Sequence, residues 1–558
     1  PGGRIRAAMS DAHKTAEATE ENLRRIFTVP EAPDSTLARL EAEIARNLHG
    51  FLNERIVATQ RSLADIEADF RDARIPEQPV FVSEQADFLL EKVVAESVHT
   101  ASPAFVGHMT SALPYFMLPL AQIMIALNQN VVKTETSKAF TPLERQVLGM
   151  LHHLVYAREE PFYAQFLQDS RHALGAFCSG GTIANLTALW VARNNALPAD
   201  GDFAGVGHEG MHRALRHHGY DDAAILVSRL GHYSLNKAAD VLGIGRKSVH
   251  AIEVDARNRI DLRSLEARCR QLRAGGVKII ALVGIGGTTE TGNIDPLASM
   301  AAIAREHGAH FHVDGAWGGP TLFSARWRHL LAGIELADSV TLDAHKQLYV
   351  PMGAGMALFR DPAAVRAIEH HARYIIREGS RDLGSKTLEG SRPGMAMLVH
   401  SGLRILGRRG YELLIDGGID KARWFADEIA ATPDFELTSA PELNILTYRY
   451  VPAAARQALA GANAGTVARI NGLLNGITRD IQRLQRDAGK SFVSRTQLGI
   501  ARYGDEAIDV FRVVLANPLT DRQVLREMLS EQRGIAASAA LAAQRAQLDA
   551  ALAPAVAV

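Results

Sequence analysis

The sequence predicts an α/β protein built around a mainly parallel β-sheet. From about residue 100 to 370, short β-branched runs alternate with alanine-rich helical stretches. The clearest strands are AAILVS (223–228), VKIIALVG (277–284), AHFHVD (309–314) and SVTLDA (339–344). Strand, helix and strand repeated in this order indicate parallel strands with helices on both faces of the sheet.

The segment DPLASMAAIAREHG (295–308) is predicted to be one of the connecting helices. Asp295 can accept hydrogen bonds at the helix N-terminus, Pro296 suits the first turn, and Gly308 can end the helix. A helix bounded in this way between two strands supports the alternating order on which the fold class rests.

Further regions flank this central part. Residues 1 to about 85 place apolar side chains at helical spacing, and that apolar face needs a covering surface. After about residue 390, a helical stretch precedes the strand-like runs FELTS, LNILTYRY and DVFRVVLANP. We therefore expect an N-terminal helical segment (1–100), a large domain (101–390), a smaller α+β C-terminal domain (391–535) and an alanine-rich tail (536–558) that frays into a mobile end.

The composition is that of an ordinary globular protein, with 47% hydrophobic and 22% charged residues in a chain of 558. The formal net charge of -1 gives no reason to expect nucleic acid or an anionic membrane as partner. Cys178 and Cys269 form no disulfide framework or metal spacing. The apolar stretch from Ala112 to Leu127 contains prolines and is too short to span a membrane, and the N-terminus lacks the apolar segment of a secretory signal. We expect a soluble, cytoplasmic protein.

The polar residues that end the predicted strands are the candidates for chemistry, because ligands bind at the carboxyl ends of strands in open α/β sheets. Asp314 ends one strand, and His345 and Lys346 follow the next. A lysine amine becomes nucleophilic when burial or a neighbouring cation lowers its pKa. A lysine and a carboxylate facing one pocket are what a pyridoxal phosphate enzyme needs. The lysine holds the cofactor as a Schiff base, and the carboxylate keeps the pyridine nitrogen protonated.

A glycine turn offers a site for the phosphate of such a cofactor. In AFCSGGTIANL, the residues Ser179 to Thr182 separate a short apolar run from a helix. Glycines at a helix N-terminus let backbone N–H groups approach an anion, and the helix dipole favours negative charge there. A tight turn without any ligand is an equally good interpretation of this turn alone.

Taken in order, the stretches SGGTIANLTAL, HYSLNKA, GTTETGNIDP, HVDGAWGG, DAHK and LEGSRPG resemble the group II pyridoxal-dependent decarboxylases. This family includes the glutamate, aromatic amino acid, cysteine sulfinate and aspartate decarboxylases. The resemblance runs from about residue 100 to 520. It implies the fold of aspartate aminotransferase (fold type I), pyridoxal 5'-phosphate as cofactor, and a homodimer with active sites at its interface. The N-terminal helices of the family usually wrap around the partner subunit.

The resemblance also implies roles for individual residues. Lys346 matches the Schiff-base lysine, Asp314 the partner of the pyridine nitrogen, and His232 the histidine that stacks on the ring. A loop tyrosine, here Tyr374, supplies a proton in much of the family. The implied cofactor-binding residues are Ser179, Gly180, Gly181, Thr182, His232, Thr288, Asp314, Ala316, His345 and Lys346, and the implied substrate-binding residues are His108 and Arg512.

The sequence departs from the family pattern at several positions. Gln347 stands where an aromatic residue usually follows the lysine, Ile183 replaces a common glutamate, and Gly315 replaces an alanine. The run ARYIIREGSRDLGSKTLEGSRPGMAML is closest to the bacterial aspartate 1-decarboxylases that make β-alanine. The predicted reaction is therefore decarboxylation of L-aspartate, with glutamate and cysteine sulfinate as alternative substrates that differ too little to be separated by motifs.

More distant alternatives remain at this point. His310 and His312 alternate with Asp314 along one strand, a spacing that could hold the metal of a hydrolase, although it leaves Lys346 and the glycine turn unexplained. A pyridoxal phosphate enzyme could instead catalyse transamination or elimination, since the cofactor stabilises a carbanion whichever bond breaks. A third alternative is a protein that binds the cofactor without activity. We predict no metal.

Overall fold

The computed structural model describes residues 19, 36–54, 56–372, 379–504 and 506–553. These residues form two compact units: residues up to 105 together with 484–492, and residues 106–483 together with those from 493 onward. In the first unit, helices α1 (Thr36–Asn53), α2 (Leu63–Glu67) and α3 (Val82–Leu89) confirm the helical character expected of the N-terminal region. The domain boundaries drawn from the sequence stay a prediction.

The second unit contains a seven-stranded sheet that confirms the predicted fold class. Its strands are β1 (Gly175–Cys178), β2 (Asp222–Ser228), β3 (Val249–Ile252), β4 (Val277–Ile285), β5 (His310–Asp314), β6 (Ser339–Asp343) and β7 (Gly355–Phe359). They lie in the order β1-β7-β6-β5-β4-β2-β3, and only β7 runs antiparallel to its neighbours β1 and β6. Strand β4 is buried along most of its length, which is why it appears in the sequence as a nearly unbroken apolar run.

Eight described α-helices precede strand β5 in this unit. They are α4 (Met117–Leu127), α5 (Phe140–Tyr156), α6 (Glu160–Phe166), α7 (Gly181–Ala196), α8 (Val206–His218), α9 (Ser234–Val241), α10 (Leu262–Ala274) and α11 (Leu297–Glu306). Helix α4 lies in the apolar stretch noted in the sequence. Within the described part of the chain, no helix is both long and apolar enough to cross a bilayer.

The predicted helix between β4 and β5 begins later than expected, and Asp295 does not cap it. Pro296 occupies the N-cap position of α11. The Asp295 carboxylate instead accepts hydrogen bonds from the backbone N–H groups of Ile260 at 2.7 Å and Ile285 at 2.9 Å. Asp295 therefore ties a neighbouring loop to the end of β4. Gly308 follows the helix with φ +60°, as expected for the residue that ends it.

A four-stranded antiparallel sheet lies towards the C-terminus, in the order β10-β11-β9-β8. Its strands are β8 (Phe435–Ser439), β9 (Ile445–Tyr450), β10 (Ser494–Gly499) and β11 (Ala507–Val514), and the helices of this region are α12 (Ala396–Ala431), α13 (Ala453–Leu459), α14 (Ala464–Ala488), α15 (Arg522–Ala537) and α16 (Ala542–Leu552). Helix α16 buries Leu548, so the alanine-rich segment is packed as far as this helix. Residues 554–558 lie outside the described part.

Candidate active site

The carboxyl ends of β4, β5 and β6 meet at one edge of the large sheet, as their parallel register requires. A cavity of about 590 Å³ opens there. Every described site residue that was predicted from the sequence lines it, except Thr288. The lining includes His108, Ser179, Gly180, Gly181, Thr182, His232, Asp314, Ala316, His345, Lys346 and Arg512. A volume of this size suits a cofactor together with a small substrate.

Lys346 lies in the turn that follows β6, and its amine is paired with a buried carboxylate. Lys346 Nζ lies 3.0 Å from Asp343 Oδ2, and Asp343 is only 2% exposed. His345 Nε2 lies 3.6 Å from the same oxygen, while its Nδ1 lies 3.0 Å from the carbonyl oxygen of Ala354. The buried carboxylate therefore faces two basic side chains of the predicted site.

Two glycines lack the Cβ atoms that would collide with the carboxylate of Asp343. A Cβ atom on Gly181 would lie 2.6 Å from Asp343 Oδ2, and one on Gly355 would lie 2.6 Å from Asp343 Oδ1. Both distances are shorter than real Cβ contacts allow. The glycine turn predicted to hold the phosphate thus also makes room for the carboxylate beside the lysine.

Asp314 ends β5, and its carboxylate is oriented by two donors. Oδ2 accepts a hydrogen bond from Asn185 Nδ2 at 2.9 Å, and Oδ1 accepts one from the backbone N–H of Ala316 at 3.1 Å. The side-chain oxygen of Asn185 lies 3.0 Å from His312 Nε2, and His312 Nδ1 lies 2.8 Å from Ser339 Oγ. Because the Asn185 oxygen only accepts, His312 carries its proton on Nε2.

The alternating histidines of β5 are explained by hydrogen bonds within the fold. Both ring nitrogens of His312 are engaged by Asn185 and Ser339, and His310 Nε2 also lies 2.7 Å from Ser339 Oγ. Burial lowers the pKa of each histidine to about 4, so both are neutral at pH 7. The spacing that could have suggested metal ligation therefore has a structural role here.

His232 stands in the loop between β2 and α9, and its tautomer is also fixed. Asn185 Nδ2 donates to Ser234 Oγ at 3.0 Å, and His232 Nδ1 lies 2.9 Å from that same oxygen. The backbone N–H of Ser234 points at His232 Nδ1 as well, at 3.3 Å. His232 Nδ1 is thus an acceptor, which leaves the proton on Nε2. Burial lowers the pKa of His232, so the neutral ring is favoured at pH 7.

The glycine turn stands at the N-terminus of α7, as the sequence predicted. The backbone N–H of Ser179 donates to the carboxylate of Glu389 at 2.8 Å. The turn therefore already holds an anionic group in this structure. A phosphate suits the same position for the same reason, since backbone donors and the helix dipole both favour negative charge.

Arg512, on β11, presents a cation to the cavity. Its Nε donates to the carbonyl of Thr289 at 2.6 Å, and its Nη1 donates to the carbonyl of Gly107 at 3.3 Å. Nη2 is buried and has no hydrogen-bond partner among the described residues. Burial lowers the pKa of Arg512 to about 10, which still leaves it charged at pH 7. The neighbouring His108 has its pKa lowered by partial burial and then by the charge of Arg512.

The predicted residue Thr288 does not line the cavity. Thr288 is fully buried, and its hydroxyl lies 2.9 Å from that of Thr291 in the same turn. The next residue, Thr289, lines the cavity instead. Direct contact between Thr288 and a cofactor is therefore not supported. Tyr374 lies outside the described residues.

Two site residues were missed by the sequence analysis. Asp343 could have been found, because it is the last residue of a predicted strand whose end was already under consideration. Asn185 left a weaker signal, as a polar residue on an otherwise apolar stretch of α7. Its role depends on partners in β5 and in the loop before α9, and no local pattern identifies those partners.

The residues of this cavity fit pyridoxal phosphate. An amine, a carboxylate on a neighbouring strand and an anion-binding turn surround one space, and Ala316 contributes a small apolar wall. The model for the pyridoxal-dependent decarboxylase conserved domain matches residues 70–451. The chain belongs to the pyridoxal-dependent decarboxylase family. It is a pyridoxal phosphate-dependent amino acid decarboxylase, so transamination and metal-dependent hydrolysis are set aside as its reaction.

Individual relatives agree with this assignment. The chain is 57% identical to an aspartate 1-decarboxylase of Aliivibrio fischeri, over 94% of this chain and 96% of that protein. It is 30% identical to the cysteine sulfinic acid decarboxylase of Mus musculus, over 67% of this chain and 73% of that protein. The crystal structure of mouse CSAD in apo form is 25% identical, with a TM-score of 0.75 over 89% of this chain and 99% of that chain.

Proposed function

We propose that the protein is a homodimeric decarboxylase that converts L-aspartate to β-alanine and CO2. The observation that carries this proposal is the position of Arg512, which lines the same cavity as Lys346 and Asp314. Its buried Nη2 has no hydrogen-bond partner among the described residues. A buried guanidinium in the lining of this cavity favours a substrate with a second carboxylate. The relative from Aliivibrio fischeri, an aspartate 1-decarboxylase at 57% identity, supports aspartate in particular.

The cofactor-binding roles follow the geometry of the cavity. Lys346 is proposed to hold pyridoxal phosphate covalently through its amine, and Asp314 to keep a proton on the pyridine nitrogen. The turn from Ser179 to Thr182, with His345 beside it, is proposed to bind the phosphate, and His232 to lie against the ring. When bound, the cofactor supplies an electron-accepting ring that takes up the electron pair left by departing CO2.

The substrate-binding roles are proposed for Arg512 and His108, which line the same cavity. Arg512 would donate Nη2–H to the distal carboxylate of aspartate, while Thr289 and Gly107 hold the rest of its guanidinium in place. His108 would border the same carboxylate. Lys346 or Tyr374 would return a proton to Cα after CO2 has left, and Tyr374 comes to this role only from the family resemblance.

The homodimer is proposed from the family resemblance and from an apolar surface. Helix α4 exposes Leu118, Ile123, Ile125 and Leu127, with exposed fractions between 44% and 70%. Four large apolar side chains on one short helix form an unusually apolar surface for a monomer. We propose that a second copy of this chain packs against these exposed side chains of helix α4. A cytoplasmic location stays a proposal drawn from cysteine usage.

The substrate is tested by measuring CO2 and amine release from a panel of amino acids. The panel consists of aspartate, glutamate, cysteine sulfinate, tyrosine and 2,4-diaminobutyrate. We expect the highest kcat/KM for aspartate. A higher value for glutamate or cysteine sulfinate would replace the proposed substrate but keep the role of Arg512, whereas a preference for tyrosine or 2,4-diaminobutyrate would contradict both.

A variant of Arg512 tests the carboxylate-binding role directly. Arg512→Leu removes a charge-assisted hydrogen bond worth about 1.5–3 kcal/mol, so kcat/KM for aspartate should fall roughly 10- to 150-fold. Arg495→Leu is the matched control, because Arg495 lies on the adjacent strand β10 and pairs with Asp509 outside the cavity. If both variants kept the activity of the wild type, the proposed role of Arg512 would be wrong.

A further inference from the structure

Gln347, the residue directly after Lys346, is fully engaged by buried hydrogen bonds. Only 2% of Gln347 is exposed. Its Nε2 donates to the backbone carbonyl of Trp317 at 2.8 Å, and its Oε1 accepts from Asn444 Nδ2 at 2.8 Å. Trp317 Nε1 in turn donates to Asn444 Oδ1 at 3.0 Å. The three side chains and one carbonyl group therefore form a closed ring of hydrogen bonds.

The direction of this ring is fixed by the indole group. The indole N–H of Trp317 can only donate, so the atom of Asn444 that faces it is the amide oxygen. The amide nitrogen of Asn444 then faces Gln347 Oε1, and Gln347 is left to donate to the Trp317 carbonyl. These hydrogen bonds form in one arrangement only, and a side chain without both a donor and an acceptor at position 347 breaks the ring.

The ring joins the parts of the chain that carry the two principal site residues. Gln347 is one residue beyond Lys346, and Trp317 is three residues beyond Asp314. Asn444 directly precedes strand β9 of the C-terminal sheet. The lysine and the carboxylate are proposed to act on the same cofactor, at its covalent bond and at its ring nitrogen, so the spacing between their two loops has to be held constant.

Other contacts hold the same turn. The carbonyl of Leu348 accepts from the hydroxyl of Tyr411 at 3.0 Å, and the hydroxyl of Tyr349 donates to the carbonyl of Ala516 at 2.7 Å. Tyr349 has φ +55°, a left-handed conformation that is unfavourable for a bulky side chain. Buried hydrogen bonds thus keep a strained backbone in place, and Gln347 adds side-chain hydrogen bonds at the residue directly after the lysine.

We propose that Gln347 is a positioning residue for the decarboxylation reaction, and that its ring with Asn444 and Trp317 fixes Lys346 relative to Asp314. This inference rests on the proposed role of Lys346 as the cofactor lysine. Loss of the ring removes the side-chain anchor directly after Lys346, while the backbone hydrogen bonds of the turn and the contacts of Leu348 and Tyr349 remain. The amine of Lys346 is then misplaced by a fraction of an ångström, whereas the Arg512 end of the cavity is unchanged.

Two substitutions at this position separate positioning from packing. Gln347→Met keeps the length of the side chain and removes both hydrogen bonds. Gln347→Glu keeps the acceptor for Asn444 but places a carboxylate oxygen against the Trp317 carbonyl, which repels it. Protonation of the glutamate restores the missing donor, so the effect of Gln347→Glu should disappear as the pH falls. Gln532→Met is the matched control, since Gln532 is equally buried and accepts a hydrogen bond from Tyr448.

The measurements are made on the holoenzyme. Borohydride reduction and peptide mapping of the wild type first locate the cofactor. Then kcat, KM and the pH titration of the absorbance band of the lysine–cofactor bond are measured for each variant, well below its thermal unfolding temperature. We expect Gln347→Met to lower kcat about tenfold with KM changed by less than about twofold, and to move the midpoint of the absorbance titration. Gln347→Glu should show the same loss at high pH and regain kcat at low pH.

The possible results separate the proposed cofactor site from the positioning role of Gln347. A cofactor found on another lysine would overturn the proposed site and this inference together. A cofactor on Lys346, combined with wild-type kcat and titration midpoint in both Gln347 variants, would overturn only the positioning role. Equal losses of thermal stability in Gln347→Met and Gln532→Met, without a change in the titration, would mean that the ring serves the fold alone.

Discussion

Gly181→Ala should weaken the binding of pyridoxal phosphate through a single close contact. The added Cβ would lie 2.6 Å from Asp343 Oδ2. Asp343 cannot swing away at low cost, because it is 2% exposed and its Oδ2 lies 3.0 Å from Lys346 Nζ. The helix N-terminus has to move instead, and the backbone N–H groups of Ser179 to Thr182 move with it.

The size of the effect follows from that distance. Real Cβ atoms essentially never come closer than 3.0 Å to another heavy atom, and ordinary contacts begin at 3.4 Å. To relieve a distance of 2.6 Å, the turn must therefore shift by about 0.4–0.8 Å. Alanine in a helix is intrinsically favoured over glycine by up to about 1 kcal/mol, so the fold itself should survive. A shift of this size weakens charge-assisted hydrogen bonds to the phosphate by about 1–2 kcal/mol in total, or roughly 5- to 30-fold in Kd.

The assay is a titration of the cofactor-free protein with pyridoxal phosphate, followed by absorbance. Gly534→Ala is the control, because a Cβ on Gly534 of α15 meets nothing within 4 Å. Its Kd should equal that of the wild type. A Kd for Gly181→Ala within twofold of the wild type would refute the assignment of this turn as the phosphate site.

Two further predictions concern buried polar groups. Asn185→Leu removes the hydrogen bonds from Asn185 to an oxygen of Asp314 and to His312 Nε2, so the cofactor-free protein should lose about 3 kcal/mol or more of stability. In thermal unfolding, Asn185→Leu should lose more stability than Asn194→Leu on the same helix. Equal losses of stability would contradict the importance of the hydrogen bonds from Asn185 to Asp314 and His312. Burial raises the pKa of Asp295 to about 6. As the pH rises, Asp295 therefore stays protonated to a higher pH in the folded state than in the unfolded state. Its contribution to the free energy of unfolding falls between about pH 4 and 6. The difference in Tm between the wild type and Asp295→Asn should therefore shrink from pH 4 to pH 7, and a constant difference would count against the raised pKa.

The fold was predictable because a parallel sheet covered on both faces leaves a strong trace in the sequence. Strands β2, β4, β5 and β6 each contain apolar or β-branched residues and are separated by helical segments, and the structure begins and ends each of them within about one residue of the predicted bounds. The capping role predicted for Asp295 was wrong, because the backbone geometry at the start of a helix decides which side chain reaches its N–H groups. This aspartate faces two backbone N–H groups across the fold instead of the helix that follows it.

The part of the site that lies at the carboxyl ends of strands could be predicted from the sequence. Asp314, His345 and Lys346 were expected to meet because parallel strands carry their carboxyl ends to one edge. Thr288 and Thr289 differ by one position in the same turn, and the path of the backbone decides which of them reaches the cavity. No periodicity in the sequence fixes that path.

The sequence by itself determined the order of strands and helices, the strand-end residues and the family to which the chain belongs. The tertiary structure decided which polar groups share hydrogen bonds. Asn185 and Asp314 are 129 positions apart, and Gln347 and Asn444 are 97 positions apart. Contacts at such separations depend on how whole elements pack, since a buried amide is stable only where the completed fold supplies both its donor and its acceptor. The residue after the lysine therefore looked like a departure in the sequence, and in the fold it completes a ring of hydrogen bonds.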